Sequence, residues 1–137
     1  MTAKTVVTAV AFALVVAGCA LAPSTNMAAC KVHVCHVVVT VTECQISLVP
    51  PDIDVYGHGH EIHWDIATAG YTFPKDGIWI KDDDPKHEFD DPRRVANDTK
   101  FIWNDKNSFA QTYRYGVKVM KGATACAPLD PGIINHG

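Results

Sequence analysis

Histidines are the residues of this sequence whose type and spacing most strongly suggest chemistry. The 137-residue chain contains seven, and three of them, His58, His60 and His63, fall within six positions. Neutral imidazole is a common ligand of zinc and copper, so a glycine turn that folds the first two towards the third would form a metal site. The alternative is a polar loop that leads into a strand with His63 on its solvent face.

A second set of possible metal ligands occurs in the run Cys30-x-x-His33-x-Cys35-His36. Thiolates and imidazoles so close together suit copper or zinc. In an exported chain the same cysteines form a disulfide instead, because the compartment is oxidising. The sequence favours the disulfide over the metal.

Acidic residues crowd a third stretch, where calcium would bind through carboxylate oxygens. They are Asp82, Asp83, Asp84, Glu88, Asp90 and Asp91. The stretch lacks the ligand spacing and the fixed glycine of an EF-hand loop. A solvated run of charge on a surface excursion is the favoured interpretation.

Catalysis and nucleic-acid binding find no support in the sequence. A nucleophile needs a base and an oxyanion donor nearby, and Ser24, Ser47 and Ser108 stand in no such motif. The formal charge is −3 and basic residues do not cluster, whereas phosphate binding requires clustered Lys and Arg. We therefore expect a non-catalytic protein without catalytic residues, without an organic cofactor and without nucleic acid as a partner.

Residues 1–18 are typical of a secretory signal. Lys4 precedes an apolar run from Val6 to Val16 that is too short to span a bilayer as a stable helix. The run ends in Val16-Ala17-Gly18-Cys19, which resembles the lipobox of bacterial lipoproteins. That resemblance implies cleavage before Cys19 after its thiol has been linked to a diacylglycerol. The alternative is an ordinary signal, cleaved after Ala20-Leu21-Ala22.

Acylation at Cys19 predicts attachment to a membrane through lipid alone, because each buried methylene contributes about 0.8 kcal/mol. Residues 19–29, which contain Pro, Ser, Thr and Asn, would form a flexible tether. Ala20 stands where an aspartate would signal retention at the inner membrane. By the same resemblance, the protein belongs on the periplasmic face of the outer membrane.

The elements that must position these residues are short strands, of which Glu61–Ile66 shows the clearest pattern. Ile62, Trp64 and Ile66 alternate with polar residues, which is typical of a half-buried strand. We predict that it is the central strand of the fold. Further strands are predicted at Val37–Glu43, Ile46–Leu48, Ile53–Tyr56, Ile78–Ile80, Lys100–Asn104 and Thr112–Met120.

No stretch after the leader has a helical period, so we expect residues 30–137 to form one all-β domain, an antiparallel Greek-key β-sandwich. Lys81–Asp91 is predicted as a surface excursion with Phe89 as its apolar anchor. Arg93–Asn97 is predicted as a linker.

The four remaining cysteines point to two disulfides among three possible pairings. In a Greek-key sandwich the first strand commonly lies alongside the last and runs the same way. Cys44 follows the predicted first strand and Cys126 the predicted last strand, so both should lie at one end. We therefore favour Cys44–Cys126, with Cys30–Cys35 by elimination.

Several motifs along residues 35–135 occur in an order that resembles a group of small uncharacterised bacterial proteins with a cupredoxin-like, immunoglobulin-like sandwich. The motifs are Ile62-His63-Trp64, Gly70-Tyr71-x-Phe73-Pro74-x-x-Gly77-Ile78, Phe101-x-Trp103-x-Asp105-x-Asn107, Tyr113-x-Tyr115-x-Val117-x-Val119 and Asp130-Pro131-x-Ile133-x-Asn135. The resemblance implies a fold but no activity. We expect the last motif to lie back on the sandwich as a capping tail.

The ligands of a type 1 copper site are missing from this pattern. Such a site groups Cys, His and Met tightly around the last loop. Cys126 has no histidine until His136, and Met120 precedes the cysteine. We therefore predict a lipid-anchored envelope protein that serves as an interaction or structural module for an envelope protein partner. The alternative is a copper- or zinc-binding protein that uses His58, His60 and His63.

Overall fold

The computed structural model of the chain describes residues 29–137. The predicted signal peptide, Cys19 and the tether up to residue 28 lie outside these residues. The strands are β1 (Ala29–Cys30), β2 (Val34–Thr42), β3 (Gln45–Val49), β4 (Ile53–Val55), β5 (His60–Ile66), β6 (Ile78–Ile80), β7 (Phe89–Val95), β8 (Lys100–Asp105), β9 (Gln111–Val117), β10 (Met120–Lys121), β11 (Thr124–Ala125) and β12 (Gly132–Asn135). Within this range no helix is long and apolar enough to cross a membrane.

Ten of these strands form two packed sheets, which confirms the predicted all-β sandwich. Sheet A has the order β1-β4-β12-β9-β6, sheet B has the order β3-β2-β5-β8-β7, and β10 and β11 form a separate hairpin. Three pairs run parallel, β1–β4, β4–β12 and β2–β5, although we expected antiparallel pairing. The chain leaves sheet B after β3, contributes β4 to sheet A and returns as β5, and such a crossover allows β5 to run parallel to β2.

The predicted central strand is confirmed, because β5 is the middle strand of sheet B. Its Trp64 is fully buried, and the indole N–H donates to the hydroxyl of Tyr115 on sheet A at 3.2 Å. The strand predicted at Val37–Glu43 corresponds to β2, where Val37 and Val39 face the core. Buried aromatic rings that meet across the two sheets supply much of the apolar area that stabilises so small a domain.

Two disulfides are present, Cys30–Cys35 and Cys44–Cys126, the pairing that the sequence favoured. The reasoning behind it was wrong, because β2 and β9 lie in different sheets. Cys44 lies in the turn between β2 and β3, and Cys126 follows the β10–β11 hairpin. The second bridge therefore ties the β2–β3 turn of sheet B to the segment between the hairpin and β12 of sheet A.

One segment predicted as a surface excursion and a linker is the edge strand β7. Only Phe89 of this strand is buried, and its ring packs edge-on against Tyr113 with the ring centroids 4.9 Å apart. The pairing with β8 shifts register between Asp90 and Arg93, on either side of Pro92. Proline and a bulge are tolerated at a sheet edge, which explains why the segment does not look like a strand in sequence.

The predicted capping tail is also wrong, because residues 132–135 form β12 in the middle of sheet A. β12 pairs parallel to β4 and antiparallel to β9. Ile133 is fully buried, and Asn135 is 3% exposed. The alternation in this segment was visible, but it is too short to separate a tail from a strand by pattern alone.

Position 116 on β9 must be glycine because the ring of Trp79, on the neighbouring strand β6, packs directly over it. A Cβ atom at position 116 would lie 2.1 Å from Trp79 Cζ2. Gly116→Ala should lower the free energy of unfolding by about 1–3 kcal/mol, because the indole must be displaced. Urea unfolding measures this loss. In a Trp79→Ala background, Gly116→Ala should change the free energy of unfolding little, because the indole is absent. An equal decrease in both backgrounds would contradict the explanation.

Candidate functional site

The alternation of β5 separates the three histidines that were predicted to bind metal. His60 faces the core with Ile62 and Trp64, whereas His63 faces outward. His58 precedes the strand, and its Nδ1 lies 2.9 Å from the carbonyl oxygen of Asn107. The structure therefore does not bring His58, His60 and His63 together. Positions 60, 62 and 64 lie on the same face of a strand, so the period of two in the sequence already predicted that His60 is buried with Ile62 and Trp64.

His60 instead lies against the Cys30–Cys35 disulfide. The carbonyl oxygen of Val32 is 2.7 Å from His60 Nδ1 and 3.4 Å from Cys30 Sγ. Among residues 29–137, the set Cys30, Cys35 and His60 is the only group of three or more His, Cys, Asp or Glu residues whose ligand atoms all lie within 4.8 Å of one another. All three residues are buried. His33 lies close by, with its ring centroid 6.4 Å from that of His60.

Both ring nitrogens of His60 face carbonyl oxygens. Nδ1 is 2.7 Å from that of Val32, and Nε2 is 3.0 Å from that of Gly57. A neutral imidazole donates from one nitrogen only, so in that form the other nitrogen directs its lone pair at an oxygen. In a neutral ring, one of these two contacts is therefore not a hydrogen bond.

The outer face of sheet B carries paired polar side chains. His36 on β2 and His63 on β5 are in register, with ring centroids 5.3 Å apart. His63 Nε2 lies 2.8 Å from Glu61 Oε2, and His36 Nδ1 lies 3.3 Å from Asp65 Oδ2. The predicted set that included His33 and His36 is thus divided between this face and the loop next to the disulfide.

Basic neighbours keep the two carboxyls of this face ionised. The hydrogen bond with His63 lowers the pKa of Glu61 below its usual value, and Arg93 adds to the effect. Burial opposes the ionisation of Asp65, but the hydrogen bonds from Lys100 and the adjacent imidazole still hold its pKa below the usual value. Lys100 Nζ is 2.8 Å from Asp65 Oδ1. Each carboxylate of this face is therefore paired with a basic side chain, Glu61 with Arg93 and Asp65 with Lys100, so these charges balance.

Sequence reasoning missed a buried polar cluster at one end of the sandwich. Its members are Glu88, Asp105, Asn107 and Asn135. Asp105 Oδ1 accepts from the backbone N–H of Asn107 at 2.9 Å and from Asn135 Nδ2 at 3.0 Å. Glu88 accepts from the backbone N–H and the hydroxyl of Ser108, each at 2.6 Å. The sequence did contain a signal for this cluster. Every second position counted from the buried Phe101 is expected to face inward, and Asp105 and Asn107 occupy two of these positions.

The cluster leaves buried oxygens without partners among the described residues. They are Asp105 Oδ2, Asn135 Oδ1 and the hydroxyl of Tyr113. Burial raises the pKa of Asp105 to about 6, although the hydrogen bonds from Asn107 and Asn135 oppose the rise. Burial and the nearby acidic groups raise the pKa of Tyr113 to about 12. The cluster therefore joins the strand ends at an electrostatic cost.

Side chains of the acidic run are engaged in structural contacts. Asp82 forms an ion pair with Arg114, whose Nη2 is 2.7 Å from Asp82 Oδ1. The carboxylate of Asp84 accepts from the backbone N–H groups of Glu88 and Phe89 at 2.9 and 3.1 Å. These carboxylates serve different structural partners, and Glu88 is fully buried, so the predicted solvated run of charge is wrong for this part of the segment.

No protein-family model matches the chain, and comparison with curated proteins finds no significant match. Any functional assignment therefore rests on the residues and geometry of the chain itself.

Proposed function

We propose that this chain is a lipid-anchored protein of the bacterial cell envelope, whose sandwich is a non-catalytic interaction or structural module. The observation that carries the proposal is the lipobox-like sequence Val16-Ala17-Gly18-Cys19 directly after an apolar run. Both sequence features are those of an exported chain that is attached through lipid on its first mature residue. The likeness to small bacterial sandwich proteins agrees with this role but supplies no activity.

Two features of the domain support a role outside the cytoplasm and in contact with a partner. Both disulfides suit an oxidising compartment and a small domain. On sheet B, Val38 and Val49 lie opposite one another and remain 41% and 64% exposed. This apolar pair lies on the outer face at the β3 edge of sheet B, where Val38 is in register with Asp65, and protein interfaces combine apolar and polar side chains in this way. We infer that the partner is another envelope protein.

Replacing Cys19 with serine should release the protein from membranes, because no thiol remains to carry the diacylglycerol. Cell fractionation with mass spectrometry of the N-terminal peptide measures this outcome. The wild-type peptide should begin at residue 19 and carry acyl chains, whereas the Cys19→Ser chain should be soluble and unacylated. An unmodified residue 19 in membrane-bound wild-type protein would refute the anchor.

Ala20→Asp provides the matched control, since it leaves the acylated thiol in place. It should remain on membranes but move from the outer to the inner membrane. Chemical crosslinking in the same cells should join the wild-type protein to a partner and lose that adduct in the relocated variant. Failure of the wild-type protein to form any adduct would contradict the interaction module while leaving the anchor intact.

A further inference from the structure

We infer that Cys30, Cys35 and His60 form a zinc site once the Cys30–Cys35 disulfide is reduced. This inference goes beyond the proposed function and does not depend on the lipid anchor. It assigns the only group of three such ligands in residues 29–137 to a cation that binds thiolate and imidazole. The site would exist when Cys30 and Cys35 are reduced, and the disulfide would abolish it when they are oxidised.

The three side chains are already held close together by strands of the two sheets. Cys30 belongs to β1, Cys35 to β2 and His60 to β5, and β2 and β5 are direct neighbours. The backbone N–H of Glu61 donates to the carbonyl oxygen of His33 at 2.8 Å, which fixes the loop of the disulfide against the start of β5. Reduction breaks the S–S bond without removing these backbone contacts.

Little movement separates the disulfide from a zinc site. Tetrahedral zinc, with Zn–S of about 2.3 Å, holds two sulfurs about 3.8 Å apart. The Cα atoms of Cys30 and Cys35 are 5.5 Å apart, and a separation of this size is compatible with a rotation of the side chains that opens the sulfurs to that distance. The two cysteines can therefore reach this geometry without a change in the separation of their Cα atoms.

His60 has the surroundings of a metal ligand. Histidines that bind metals commonly donate their other ring N–H to a carbonyl or carboxylate oxygen, which fixes the ring. Here both ring nitrogens have a carbonyl oxygen within 3.0 Å. Whichever nitrogen binds zinc, the other one donates to its carbonyl oxygen, and the carbonyl group that faces the zinc-binding nitrogen must turn aside to admit the cation.

Charge balances within the buried site. A dithiol reductant transfers two electrons and two protons to the disulfide, which leaves two thiols on the protein and a disulfide on the reductant. Zinc binding then releases both thiol protons to solvent. Two thiolates, one Zn²⁺ and a neutral imidazole sum to zero charge, so the site avoids the cost of burying a net charge.

A cavity of about 260 Å³ lies beside the disulfide. Both cysteines line it, together with Val32, Val34 and His36 among others. Zinc prefers four ligands, so a site with three protein ligands leaves one position for water or an external ligand that enters from this cavity.

The test is zinc binding by the full-length chain in detergent, with and without a phosphine reductant that has no thiol of its own. The reduced protein should bind one equivalent of Zn²⁺, more than about a hundredfold more tightly than the oxidised protein. Co²⁺ should give thiolate-to-metal charge-transfer absorption in the reduced protein only. Zn²⁺ should also raise its midpoint of thermal unfolding.

Three variants identify the ligands under the same reducing conditions. Cys30→Ser/Cys35→Ser keeps Cys44 and Cys126 and should lose the binding and the cobalt absorption. His60→Gln should weaken binding about tenfold or more, and His58→Ala, a histidine outside the set, should leave it unchanged.

Two sets of results would overturn the inference. One is equal zinc affinity of the oxidised and reduced proteins. The same conclusion follows if the reduced protein, folded or unfolded, shows no zinc binding and no change in its midpoint of thermal unfolding. The other is binding that persists in Cys30→Ser/Cys35→Ser, which would place zinc on Cys44 and Cys126, or binding that is unaffected by His60→Gln.

Discussion

Replacing Cys44 and Cys126 together with alanine should lower the free energy of unfolding by about 4 to 5 kcal/mol in the loop-entropy model. The two cysteines are 82 positions apart, and their bridge removes many conformations from the unfolded chain. It also holds the β2–β3 turn of sheet B against the segment after β11. Urea unfolding followed by the fluorescence of the buried Trp64 measures the loss.

The other disulfide provides the control. Cys30 and Cys35 are only five positions apart, so removing both should cost about 2 kcal/mol by the same relation. Equal losses in the two double variants would contradict loop closure as the main source of stabilisation. Peptide mapping without reduction should recover Cys44 linked to Cys126, and a free thiol at either position would contradict the pairing.

Asp105→Asn should raise the free energy of unfolding at pH 7.5 by up to about 3 kcal/mol, from 1.36 kcal/mol per pKa unit. Burial raises the pKa of Asp105 from 3.8 to about 6, so the folded protein holds this proton more tightly than the unfolded chain does. The stabilisation is complete below about pH 4 and is lost as the pH rises through 6. Asparagine keeps Oδ1 as acceptor for Asn107 and Asn135 and does not ionise.

Urea unfolding at pH values from 3 to 8 tests this prediction. The gain from Asp105→Asn should shrink as the pH falls through 6 and should vanish well below the unfolded pKa of 3.8, where the wild-type carboxyl is protonated in both states. A variant that is less stable than the wild type at pH 7.5 would show that the charge of Asp105 stabilises the fold.

Asp82→Asn provides a control of opposite sign. The hydrogen bonds and charge of Arg114 lower the pKa of Asp82, so its carboxylate contributes stability that is present above its unfolded pKa and lost as the pH falls through its folded pKa. Its replacement should therefore lower stability at neutral pH, and the loss should disappear in acid.

Alternation along single strands was the part of this fold that sequence predicted well. Trp64 and its neighbours marked β5 as a half-buried strand, and the same pattern marked β2 and β9. Applied one position earlier, it would have placed His60 in the core. The error was to treat three histidines as one group because they are close in sequence, when a strand directs positions 60 and 63 to opposite faces.

Pairing between distant segments was the part that sequence did not predict. Nothing in residues 132–135 indicates that they lie between β4 and β9, because the pairing depends on segments about 20 and 80 positions away. The edge strand β7 was hidden by Pro92 and its charges. Asp105, Asn107 and Asn135 belong to sequence motifs, but nothing in the motifs indicates that they form a buried hydrogen-bonded cluster. That cluster arises only when the strand ends meet.

The position of β12 has a consequence for how this protein can be made. Sheet A has no continuous ladder between β4 and β9 until residues 132–135 are available to both. Folds that depend on such distant pairings form slowly. Sheet A can therefore close only after residue 135 has been synthesised, so formation of the complete sandwich follows synthesis of the domain and does not accompany it.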